Sequence, residues 1–148
     1  MPNPHDREDV TTETLGTKGL NILLYSNNSE VRDQVRTAVG NTVADKDVTW
    51  LDVATYEALW ETANKGGFDL FVLDGEAHKV GGMGICRELK NSLYNCPPVL
   101  ILTGRAQDAW LASWSLADDA VPRPLDVFEL QAAVERLVSL PSTDVVGL

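Results

Sequence analysis

The chain has 148 residues, 44% of them hydrophobic, and a formal net charge of -10. That length suits one domain with a proper core, while the acidic balance disfavours nucleic acid and anionic lipid, whose binding depends on clustered Lys and Arg. No apolar run approaches the roughly eighteen residues of a membrane span, and the polar start "MPNPHDREDVTTET" lacks a signal-peptide core, so a cytoplasmic protein without direct membrane insertion is expected.

Residues 1–18 contain Pro2 and Pro4 and no periodic apolar pattern, and read as a flexible N-terminal tail. From there to residue 140 apolar β-type runs alternate with helical patterns. The strands are "LNILLY" (20–25), "VTWLDV" (48–53), "FDLFVLD" (68–74), "PVLILT" (98–103) and a weak "DAV" (119–121), five in all. Val31, Val35, Ala38 and Val39 mark one helical face behind an N-cap at Asn28 or Ser29. Tyr56, Leu59, Trp60 and Ala63 mark a second. Further helices are expected over "MGICRELKNS", "AQDAWLASWSLA" and "DVFELQAAVERLVSL", with residues 141–148 as a C-terminal tail and no output domain. Strands apolar throughout and separated by helices predict an α/β fold, a doubly wound five-stranded parallel sheet with helices on both faces. Its ligand site lies at the carboxyl ends of the strands. Cys86 and Cys96 have neither C-x-x-C spacing nor an obvious histidine partner for zinc and are read as reduced structural thiols.

Strand ends assemble the candidate site: Ser26 and Asn27, with Asn28, after strand one, Asp74 at the end of strand three, Thr103 at the end of strand four, and Arg123 in "VPRPLD". In order and spacing this resembles the receiver domain of bacterial response regulators, from about Leu20 to Leu140. The resemblance implies that Asp74 stands at the phosphoacceptor position, that Gly82 is the loop glycine, and that Arg123 and Pro124 occupy the closing Lys-Pro position. Ser26 and Asn27 replace the family's acidic pair, which with the acceptor aspartate holds Mg²⁺. Asp74 and Arg123 alone cancel in charge, and the planar guanidinium suits a bond to the Asp74 carboxylate better than the work of a compact ammonium. The pocket is therefore expected to tie itself together as a degenerate phosphoacceptor site, with Asp74 held by Arg123, Thr103 and strand-end amides. Metal, cofactor and catalytic residues are not expected. Glu76 is the one nearby group that could restore a negative charge.

Ala120 stands where the family often has a rotating aromatic, and His78 where a loop proline is common. "GGMG" (81–84) lacks the Gly-Lys-Ser/Thr of a phosphate cradle and reads as a turn into a helix. Trp50 and Trp60 are core candidates. Threading on the receiver pattern turns Leu111 and Trp114 outward on the fourth helix, where a Trp marks a protein-binding surface. The resemblance places that surface on the face of helix four, strand five and helix five. The sequence is also similar to short orphan receiver-like proteins of actinobacteria, which implies an accessory subunit of respiratory NADH:quinone oxidoreductase, complex I, held at the inner face of the cell membrane by its partners. The resulting expectation is a non-phosphorylated protein-binding module rather than an enzyme. The alternative is a phosphorylation-dependent single-domain response regulator with Asp74 as acceptor.

Overall fold

Alternation decides which layer each strand residue enters. In β1 (Leu20–Tyr25) every residue is buried. Leu20, Ile22 and Leu24 join one apolar cluster while Leu23 and Tyr25 join another, as a two-residue period requires. A computed structural model describes residues 19–76, 82–105 and 116–140. After β1 come α1 (Ser29–Val39), β2 (Thr42–Val43), β3 (Lys46–Val53), α2 (Tyr56–Ala63), β4 (Leu70–Asp74), α3 (Gly82–Ser92), β5 (Val99–Thr103), β6 (Asp119–Pro122) and α4 (Val127–Val138).

The sheet runs in the order β2-β3-β1-β4-β5-β6, parallel from β3 to β6. Helices α1 and α4 cover one face through Val35, Ala38, Val39, Leu130, Ala133, Val134 and Leu137. Helices α2 and α3 cover the other through Leu59, Ala63, Ile85, Cys86 and Leu89. Three helices begin on side-chain caps: Asn28 accepts from the Glu30 amide at 2.8 Å, Thr55 from Ala58 at 3.1 Å and Asp126 from Glu129 at 3.0 Å. At the start of β1, Asn21 donates its backbone N–H to Asp69 at 2.8 Å and its side-chain amide to the Gly67 carbonyl at 2.9 Å. The first strand is thereby fixed to the loop that precedes β4.

The described residues form six strands rather than five. The addition is β2, a two-residue arm antiparallel to the start of β3, which itself begins at Lys46 rather than Val48. Its turn, Ala44 and Asp45, has φ of 51° and 67° without the glycine that usually marks such a turn, so the sequence carries little sign of it. Trp50 and Trp60 are half-buried rather than core residues, and the Trp50 indole N–H donates to the Gly40 carbonyl at 3.1 Å. The expected fourth helix falls largely on 106–115, outside the described residues. Its last two positions, Leu116 and Ala117, are not helical, and Leu116 has φ 72°. Cys86 is buried and Cys96 half-buried, and neither forms a disulfide.

Candidate functional site

The parallel strands bring Ser26, Asp74, Thr103 and Arg123 to one edge of the sheet. β1 ends beside β4, and β4 pairs with β5 through Asp74 and Leu102. β5 pairs with β6 through Thr103 and Pro122, one residue before Arg123. Asp74 is 2% exposed, so its carboxylate must find its partners inside the protein. It does so on both oxygens. Oδ2 accepts from the Ser26 hydroxyl at 2.7 Å, while Oδ1 accepts from the Arg123 guanidinium at 2.5 Å and the Glu76 amide at 2.9 Å.

Each partner is held in turn. The Arg123 amide donates to the Thr103 carbonyl at 3.0 Å, and the Arg123–Pro124 peptide is cis. Ser26 donates its amide to the Val53 carbonyl at 3.2 Å, its hydroxyl oxygen accepts from the Asn28 amide at 3.0 Å, and its carbonyl accepts from Arg32 at 2.6 Å. Arg32 and Arg36 both approach Asp52 Oδ2, at 3.6 and 3.5 Å, which ties the β1 end to α1 and β3. The Tyr25 phenol, next to Ser26, is raised above its usual pKa first by burial and then by the nearby charges of Asp74 and Glu57.

Of the expected residues the structure brings Ser26, Asp74 and Arg123 into hydrogen-bond contact, while Asn27 and Thr103 depart from the expectation. Ser26 is buried and bonded to Asp74, whereas its neighbour Asn27 is exposed. Thr103 is buried, but among the described residues the donors to Asp74 are Ser26, Arg123 and Glu76; Thr103 acts on the site through its carbonyl. The Glu76 amide is a partner that the sequence pattern did not single out, although it is the kind of strand-end amide expected there. No group of three or more His, Cys, Asp or Glu suited to a metal ion occurs among the described residues. Beside Ala120 a hollow of about 260 Å³ opens between β6 and α4, lined by Asp119, Val121, Glu129, Ala133 and Arg136. His78, Leu111 and Trp114 lie outside the described residues.

The chain is 46% identical over 125 residues to a protein described as an uncharacterized response regulatory protein of Mycobacterium tuberculosis, in both strain H37Rv and strain CDC 1551, covering 83% of this chain and 94% of the relative. The fold is similar to the receiver domain of a DNA-binding response regulator from Colwellia psychrerythraea, with a TM-score of 0.70, 17% identity and coverage of 82% and 99% of the two chains. It is also similar to the Francisella response regulator 1452 receiver domain, with a TM-score of 0.68, 17% identity and coverage of 81% and 97%. No family model matches. The sheet order with helices on both faces is the fold of a receiver domain, and the identity to the mycobacterial proteins carries the assignment further. The chain belongs to the response regulator family.

Proposed function

We propose that the protein is a receiver-type regulator that works by binding a protein partner rather than by catalysing a reaction, with the Asp74 pocket as its control point. The observation that supports this reading is that Asp74 ends β4 buried and with both oxygens engaged, at the position where the sequence resemblance expects the acceptor.

Two forms of control are each favoured by a specific observation. Family membership favours phosphorylation of Asp74 as the input, as in two-component signalling. The pocket chemistry favours a constitutive module, because Ser26 and Asn27 supply no charge for Mg²⁺ and Arg123 already neutralises Asp74. Under the first form, Asp74 must release the guanidinium before it can accept a phosphoryl group. Under the second, the Asp74–Arg123 pair is a permanent brace for the strand ends. An accessory role in respiratory complex I, with a place at the membrane through that assembly, rests on the sequence resemblance alone, and the relatives' descriptions supply no partner. No helix among the described residues is long and apolar enough to cross a membrane.

Incubating the full chain with acetyl phosphate and Mg²⁺ and measuring intact mass separates the two forms. A phosphorylated species in the wild type that disappears in Asp74→Asn assigns the phosphorylation-dependent form. Its absence, together with partner capture that Arg123→Ala weakens although nothing is phosphorylated, assigns the constitutive one. Loss of partner capture in neither Asp74→Asn nor Arg123→Ala, with no phosphorylated species, would remove the pocket as control point.

A further inference from the structure

Glu76 contributes to the pocket twice. Its amide holds Asp74 Oδ1, and its side chain folds back across the end of the neighbouring strand. A β-carbon placed on Gly104 would lie 2.8 Å from both Glu76 Cδ and Glu76 Oε2, and 3.2 Å from Oε1. Any side chain larger than hydrogen at position 104 would therefore collide with the Glu76 carboxylate. Gly104 also borders, with Arg123 and Pro124, a groove of about 920 Å³ between α1 and α4. Arg123, 24% exposed at its side chain, is thus reachable from that groove, and a negative charge stands at the Gly104 end of the approach.

We propose that the Glu76 carboxylate, seated on Gly104, is an electrostatic screen that keeps phosphate-type oxyanions away from Arg123 and Asp74. This rests on the reading of the Asp74 pocket as control point and adds the element that sets access to it. An oxyanion arriving at Arg123 past Gly104 would approach the seated carboxylate, and like charges repel. The same repulsion leaves the guanidinium to Asp74. The seat is reversible, because what meets Gly104 is the far end of a flexible side chain rather than backbone. Movement of one exposed glutamate would then open the pocket without unfolding a strand end.

Two variants separate the charge from the seat. Glu76→Gln removes the charge and keeps the shape, whereas Gly104→Ala keeps the charge and displaces the carboxylate, at a position whose backbone is not in the left-handed region. The full-length chain, ¹⁵N-labelled, is titrated with inorganic phosphate, and amide shifts of Gly75, Gly104 and Arg123 are followed. Glu76→Gln should bind phosphate about tenfold or more tightly than the wild type, as expected when one close like charge is removed. Gly104→Ala should move in the same direction by a smaller factor. Wild-type affinity in both variants, with native-like spectra, would overturn the screen. Labelling of the same variants by acetyl phosphate tests the other reading: tighter phosphate binding without labelling keeps the screen and removes phosphorylation as the input. Labelling without any change in phosphate affinity removes the screen and keeps phosphorylation.

Discussion

The two ends of the sheet carry the same parts arranged to different effect. At the carboxyl end, Asp74 meets Arg123, the Ser26 hydroxyl and the Glu76 amide. At the amino end, Asp118 meets Lys90 at 2.7 Å and the Val99 amide at 2.8 Å, and Lys90 also reaches the Pro97 carbonyl at 3.4 Å. Side-chain exposure separates them, at 3% for Asp74 against 32% for Asp118. A carboxylate that keeps a third of its surface in water can exchange a lost partner for solvent, whereas one that is sealed cannot. The amino-end pair is therefore a fastener between α3 and the β5–β6 edge, while the carboxyl-end cluster is a set of mutually dependent bonds.

The strongest test of that difference is Arg123→Ala. Truncation leaves Asp74 sealed without its cation, a change that typically costs roughly 3 to 5 kcal/mol. The lower end is expected, because the Arg123 side chain is 24% exposed and water can enter behind it. Urea unfolding measures this, Arg123→Lys should lose less, and adding Asp74→Asn to Arg123→Ala should restore part of the loss by removing the stranded charge. Next in size is Ser26→Ala, which strips one donor from Asp74 Oδ2 and should cost about 1 to 3 kcal/mol, as for a buried acceptor left unsatisfied. At the other end, Lys90→Ala should cost no more than about 1 kcal/mol, the usual range for a solvated pair. If Lys90→Ala proves as costly as Arg123→Ala, exposure is not what distinguishes the two ends.

The smallest effect on stability near neutral pH concerns Cys96, near the Lys90–Asp118 fastener. Burial pushes its thiol up to about 11, and Asp118 adds to the rise while Lys90 opposes it. Because the folded protein holds this proton more tightly than the unfolded chain, the contribution to stability is intact below pH 9 and is lost as pH rises through about 11. At pH 8, alkylation of Cys96 should accordingly be at least tenfold slower in the folded protein than in urea, about one decade for each pH unit of pKa rise. Equal rates would show the thiol to be solvated.

Nearly continuous apolar runs made β1, β4 and β5 legible, because a strand covered on both faces has no solvent side to write into the sequence. The strand-end rule likewise brought Asp74, Thr103 and Arg123 together before any contact was known. It did not distinguish Ser26 from Asn27, since the alternation that buries one and exposes the other depends on where the chain leaves the sheet. Nor could it reveal the seat of Glu76 on Gly104, a contact between two strand ends that no spacing within either strand encodes. The β2 arm escaped notice because Ala44 and Asp45 adopt left-handed backbone without glycine or asparagine to announce it.

That arm has a consequence for how molecules of this chain meet one another. β3 pairs with β1 from Val48 to Val53, but on its outer side the described strand pairing is limited to Lys46 and Asp47, and the Val48 amide is taken by the Asn41 carbonyl. An edge strand with free amides is a template on which a second chain can add. Here the template is blocked at its leading end by the chain's own turn, so an incoming strand would have to displace the arm before it could run the length of the edge. The two residues of β2 thus cover the start of the β3 edge, where an added strand would otherwise pair.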